Sequence, residues 1–291
     1  MPAVTVDLIK QLRDRTGAGL MDCKGALIAC DGDLDKAGDY LREKGLVKAA
    51  KKSGRIAAEG LALTKTCEKC GATVVLEVNC ETDFVSKGDA FHQLVDDTAS
   101  ALLHNRPASL EEAKEVTNQL FVDGTVKMGE KLDLRRFVIL EKQGEQAIYT
   151  YIHMGGKIAA AVVLAKEDAE LGKGLAMGVA SYNPQYLTFE DIPADVIAHE
   201  KEVQLEAAKN DEKLAGKPIE MLTKIIDNKV KKYFAEMVLM LQPYIYDESK
   251  TLEEVLKQKG NSVLKFVRFQ VGEGIEKRQD DFAAEVMSQI K

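Results

Sequence analysis

Hydrophobic positions near the start of the chain recur with a helical period. Leu8, Ile9 and Leu12 share one face, and Gly17-Ala18-Gly19 interrupts the pattern. Cys23, Leu27 and Cys30 repeat at i, i+4 and i+7 on a second helix. Asp31-Gly32-Asp33 is a turn that supplies an N-cap. Leu34, Ala37 and Leu41 form a third stripe, which Gly45 is expected to end. The pattern predicts a small three-helix bundle, with a basic connector of few apolar residues over 48–55.

From about residue 56 the period shortens to that of strands. Segments 61–64 and 74–78 read as a hairpin turning at 68–71. Phe91, Leu94, Val95, Thr98, Leu102 and Leu103 then make a helical stripe, and a further helix covers 110–122. Strand patterns return at 137–140, 148–152 and 158–164, the last two joined by a tight turn at Gly155-Gly156. A helix over 168–180 follows. Strand–strand–helix thus occurs twice, which predicts two α+β subdomains with antiparallel sheets. Residues 194–240 are charged and helical on both sides of Gly216-Lys217-Pro218, the signature of a helical hairpin. Val196, Val203 and Leu214 on one arm are expected to face Leu222, Ile225, Ile226 and Val230 on the other, with the hairpin projecting into solvent. A short capped helix at 251–259, a strand at 266–269 returning to a core sheet and a helix at 282–290 complete the reading.

Composition narrows the function. The 291 residues carry a formal net charge of −7 and are 45% hydrophobic, which supports a sizeable core. An acidic chain argues against nucleic acid or an anionic membrane as a direct partner, since both require a cationic footprint. The charge is divided: residues 1–55 carry +3 and the remainder −10. No run of about 20 apolar residues is present to span a bilayer. Asp7 and Lys10 stand too close for a signal-peptide core, and no Arg-rich, acid-free transit segment is seen, so a cytoplasmic protein is expected. Five cysteines in a long chain do not suggest a disulfide framework.

Candidate chemistry is sparse. Gly124 and Gly129 have P-loop spacing, but Glu130-Lys131 follows where Lys and then Ser or Thr are needed to reach phosphates and Mg²⁺. Cys67-x2-Cys70 with Cys80 and His92 has the ligand types of a zinc site but lacks a second paired half-site. The alternative is a hairpin turn bearing two cysteines, with Cys80 a small hydrophobe. His92, His104 and His199 read as surface or packing residues. His153 instead sits at a hairpin tip beside Met154-Gly155-Gly156, where it meets solvent or a partner. Thr82-Asp83-Phe84-Val85, between a strand and a helix, has two readings. In one, Asp83 is an N-cap and Phe84 extends the stripe of Phe91, against which Gly88 interrupts. In the other, an exposed aromatic beside a carboxylate is presented to a partner as a wedge.

These segments resemble the bacterial elongation factor Ts family, the guanine-nucleotide exchange factors of the GTPase elongation factor Tu. The resemblance is carried by residues 12–24, by Lys48-Ala49-Ala50-Lys51-Lys52, by 77–85, by 151–158 and by 268–277, in order along the chain. Leu20 stands where some members have Met, and Lys157 where Arg is frequent. The resemblance implies a UBA-like three-helix module and basic linker at 1–55. It implies core subdomains at 56–140 and 141–193, a coiled-coil hairpin at 194–240 and a helical C-terminal module at 241–291, with a strand returning to the second subdomain. It further implies that Thr82, Asp83, Phe84 and Val85 form the exchange wedge. Arg13, Leu20 and Met21 would hold the GTPase domain, and His153, with Met154, Gly155 and Gly156, would touch a separate domain of the GTPase. No covalent chemistry and no cofactor are implied, because GDP, GTP and Mg²⁺ belong to the partner, with which a 2:2 assembly is compatible. Two other classes remain: a binding module that recruits another chain without speeding GDP release, and a zinc or redox enzyme at Cys67, Cys70 and Cys80.

Overall fold

The computed structural model describes residues 4–209 and 219–276. Thr5 opens α1 (Val6–Thr16), its hydroxyl accepting the Leu8 N–H at 3.3 Å, and Gly17 ends it with φ 66°. α2 (Leu20–Ala29) and α3 (Leu34–Lys52) follow, and the Asp33 carboxylate caps α3 by accepting from Asp35 and Lys36. Ile9, Leu12, Cys23, Ala26, Leu27, Ala37 and Leu41 are the buried interior of these three helices. Cys30 follows α2 rather than lying on it.

β1 (Glu59–Cys67) and β2 (Ala72–Cys80) form an antiparallel ladder running from Glu59↔Cys80 to Cys67↔Ala72. α4 (Asp83–Ser86), α5 (Asp89–Asn105), α6 (Leu110–Met128) and β3 (Asp133–Glu141) come next, and the sheet order is β1-β2-β3. β2 is buried along its whole length, as its run of Val and Leu requires of a central strand. Phe91, Leu94, Val95 and Leu102 of α5 pack on Val74, Leu76 and Val78.

Gly45 does not end the third helix. α3 continues to Lys52, because Gly45 is a point of close approach: a Cβ there would lie 2.5 Å from Val126 Cγ2 of α6. Tertiary packing therefore outweighs the weak helix propensity of glycine, and the first five residues of the expected connector are helical. α6 likewise runs six residues past the expected 110–122 and stops at Gly129, φ 75°.

The second sheet has the order β4-β5-β8, from β4 (Ala147–His153), β5 (Ile158–Leu164) and β8 (Val263–Gln270). α7 (Ala169–Tyr182), capped by Asp168, packs on β4 through Gly172, where a Cβ would overlap the Tyr149 ring. α8 (Ala194–Lys209) and α9 (Ile219–Ala235) pack together, with a Lys201–Asp227 ion pair at 2.8 Å. Ile226 and Val230 are buried, but Val196 and Val203 are exposed. Ile197 and Ala208 face inward instead, so the buried stripe of α8 is offset from the expected one. Leu214 and Gly216-Lys217-Pro218 lie outside the described residues, as does the helix expected at 282–290. β6 (Pro243–Tyr244), β7 (Asp247–Thr251) and α10 (Leu252–Lys259) precede β8, and a reciprocal Thr251–Glu254 capping box opens α10.

The architecture is α+β. It divides into two compact units. One holds the described residues up to Ile139 with Met154–Ile158 and those from Phe269 onward; the other holds Leu140–His153 and Ala159–Arg268. Among the described residues no helix is long and apolar enough to cross a membrane.

Candidate functional site

β2 ends at Cys80 and the chain turns at once into the four-residue helix α4. The N-cap is Thr82, whose hydroxyl accepts the Val85 N–H at 3.4 Å; Asp83 is the first helical residue rather than the cap. One turn of helix sends neighbouring side chains in different directions. Val85 packs against the core, and Phe84 stands 86% exposed. Phe84 therefore does not extend the buried stripe of α5. Gly88, the N-cap of α5, separates the two helices.

The turn is held from outside by carboxylates. Glu130, on the loop leaving α6, accepts the N–H groups of Glu81 and Thr82 at 3.0 Å each and the Thr82 hydroxyl at 2.6 Å. Glu81 returns the interaction, accepting the Lys131 N–H at 2.6 Å and pairing with Arg55 at 3.2 Å. Lys131 Nζ donates to the Arg55 carbonyl at 2.8 Å, and Lys52 Nζ donates to the Gly129 carbonyl. Two loops about 50 residues apart in sequence are thus tied reciprocally, carboxylate to backbone, by charge-assisted bonds. Asp83 pairs with Lys87 at 2.6 Å, and this bond holds its carboxyl below the usual carboxylate range and raises the Lys87 ammonium. An anionic Asp83 also suits the first turn of a helix.

The lock residues Glu81 and Glu130 were not singled out by sequence reasoning. The one available signal was Gly129: a glycine that ends a helix puts the next residue, Glu130, on the departing loop.

In the second unit His153 ends β4, half-buried, with Nδ1 3.2 Å from the Tyr151 hydroxyl and the rings 5.8 Å apart. The turn that follows belongs to the first unit and is built from the backbone. Met154, Gly155 and Gly156 all have positive φ, at 49°, 62° and 95°, and Met154 is 70% exposed. Gly156 leaves no room for a side chain: a Cβ would lie 2.7 Å from Leu61 Cδ2, and its carbonyl accepts the Ala62 N–H at 2.7 Å.

On the first helices Arg13, Leu20 and Met21 are exposed, Met21 at 73% and Leu20 at 50%. Gly17 and Gly19 shape the loop that leaves Leu20 and Met21 on the first turn of α2.

The zinc constellation is not assembled. Cys67 pairs with Ala72 and Cys80 with Glu59, so eight ladder steps, about 27 Å at ~3.4 Å each, separate them. Cys80 is buried, donates to the Thr82 carbonyl at 3.2 Å, and has its thiol pushed up to about 12 by burial, then by Glu130 and Glu59. His92 and His104 on α5 and His199 on α8 are exposed. Among the described residues no group of three or more His, Cys, Asp or Glu could hold a metal.

Comparison with known proteins gives the family. The family model described as elongation factor TS matches residues 81–273, from the Glu81 that anchors the Phe84 turn to the Glu273 that follows β8. Elongation factor Ts of Lactiplantibacillus plantarum is 43% identical over 300 aligned positions, covering all of both chains. With the family model spanning most of the chain and a relative aligned end to end, the chain belongs to the elongation factor Ts family of translation elongation factors.

Proposed function

We propose that the protein binds the GTPase elongation factor Tu and accelerates its release of GDP, with the Phe84 turn as the wedge. The carrying observation is an aromatic ring 86% exposed on a turn locked by Glu130 and Glu81. A solvent-facing phenylalanine adds little to core packing, and a turn held in place before contact has already lost part of its backbone ordering entropy. Such a ring enters an apolar cleft of a partner at low cost, and Asp83 orients polar groups at its edge. If the cleft borders the partner's Mg²⁺ site, insertion displaces the charge that bridges the phosphates, and GDP leaves faster.

An exchange factor works by linkage. It grips the nucleotide-free GTPase more tightly than the loaded one, and nucleotide weakens that grip by the same factor. Each tenfold of coupling requires about 1.4 kcal/mol of differential contact. Contacts at more than one place supply it: Arg13, Leu20 and Met21 on a UBA-like α1–α3 module hold the GTPase domain, and His153 with Met154, Gly155 and Gly156 touches a second domain. In this reading α8 and α9 are a coiled-coil arm, and the protein is a non-enzymatic factor acting in the cytoplasm. It needs no cofactor of its own, no nucleic acid and no membrane, and is compatible with a 2:2 complex.

The deciding measurement is stopped-flow release of fluorescent GDP from elongation factor Tu with and without this protein. Acceleration is expected. Complex formation without acceleration would leave a pure binding module and overturn the proposal.

A further inference from the structure

The β1–β2 hairpin has a second chemical feature, at the end opposite the Phe84 turn. Cys67 closes β1, Glu68 to Gly71 make the turn, and Gly71 takes φ 63°. The turn folds Cys70 back so that its sulfur lies 3.7 Å from the Cys67 carbonyl oxygen and within hydrogen-bonding reach of the Cys67 thiol. The two cysteines thus share one four-residue turn, with the Cys70 sulfur folded back over the Cys67 backbone. The ladder Cys67↔Ala72 fixes the base of the turn.

The five cysteines differ sharply in access. Cys23 and Cys80 are buried and burial raises both thiols, whereas Cys30 and Cys67 are half-exposed and Cys70 is exposed. The Cys67 thiol, a backbone bond from Ala72 and the Arg106 guanidinium all favour the Cys70 thiolate, the form that reacts. Arg106 is placed there by its own left-handed backbone, φ 52°, at the end of α5.

We propose that Cys67 and Cys70 are a reversible redox site, a dithiol that closes to an intramolecular disulfide by exchange with low-molecular-weight disulfides. The Cys70 thiolate attacks one sulfur of the external disulfide, forming a mixed disulfide and expelling one thiolate. Cys67 gives its proton to solvent and attacks the Cys70 sulfur, expelling the second thiolate. Two protein thiols are oxidised by two electrons, and one external disulfide is reduced to two thiols. The site is separate from the exchange wedge, about 27 Å away along the ladder, and does not depend on the exchange reading.

The test is full-length protein, folded and metal-free, equilibrated with glutathione and glutathione disulfide and read by intact mass and peptide mapping. The expected product loses two hydrogens, carries a Cys67–Cys70 link, regains them in dithiothreitol and accumulates no glutathione adduct. Cys67→Ser should instead trap one glutathione on Cys70. Arg106→Gln should slow the first capture severalfold. An adduct that persists on wild-type Cys70, or a pair that stays reduced while Cys30 reacts, would overturn the proposal. So would tight retention of added zinc that Cys67→Ser abolishes, because the pair would then be a thiolate metal site.

Discussion

The Phe84 turn and the Met154 turn present a large apolar side chain to solvent by different means. Phe84 rides on one turn of ordinary right-handed helix, and the restraint is external: Glu130 and Glu81 exchange hydrogen bonds across two loops. Met154 rides on backbone that L-residues seldom adopt, and the restraint is internal, three successive positive φ angles closed by a glycine against Leu61. The first turn is sensitive to polar substitutions far away in sequence. The second is sensitive to adding a single methyl group on the spot.

The largest expected effect is on the exposed ring of the first turn. Phe84→Ala removes no core packing, so unfolding should shift by no more than about 0.5 kcal/mol. An interface anchor is worth about 2 kcal/mol or more, so the exchange rate should fall by roughly 30-fold or more. A variant with wild-type GDP release sinks the wedge. On the second turn the loss should be in the fold. Gly156→Ala combines φ 95° with a Cβ 2.7 Å from Leu61, and should cost about 1–3 kcal/mol in urea unfolding. Gly155→Ala, with open space around it, pays only the backbone strain and should cost less. Equal midpoints for the two would mean that Gly156 is not the pinned residue.

These two turns also show what could be read from the chain. Alternation and helical stripes located both hairpins and most helices, because those signals are local. Gly45 misled because its reason is a contact with Val126, 81 positions away, which no local pattern carries. The inward face of α8 was mistaken by one residue, since Val196 and Ile197 are both apolar and only packing selects between them. Thr82-Asp83-Phe84-Val85 could be found, but not resolved into buried stripe or exposed ring, because that depends on where α4 stops and α5 begins. The Glu130 lock was invisible for the same reason as Gly45: its partners lie 48 and 49 positions upstream.

The lock gives a smaller, separable effect. Glu130→Gln keeps the size of the side chain but offers one acceptor oxygen where two were used, and it removes the charge. Three bonds weaken, which should lower stability by about 1–2 kcal/mol. The exchange rate should drop less than for Phe84→Ala, because the ring remains and only its immobilisation is lost. Amide hydrogen exchange should speed up over 81–87 and stay unchanged over 154–156. Uniform loss of protection across both turns would mean that Glu130 supports the unit in general and not this turn.

The smallest effect concerns Asp83 and its pH dependence. The Lys87 bond depresses the Asp83 carboxyl relative to an unfolded chain, so its contribution to the turn is fully present above the ordinary carboxylate range. It fades only as pH falls through the lower folded value. Between neutral pH and mild acid, exchange should therefore show no step from Asp83. Lys87→Met removes the partner and should return the Asp83 titration, followed by carboxyl chemical shift, toward the ordinary range. Both side chains are well exposed, so the ion pair adds little to stability and Lys87→Met should leave the unfolding midpoint nearly unchanged. If Asp83 titrates at the same pH with and without Lys87, the first-turn helix geometry rather than the ion pair sets its charge.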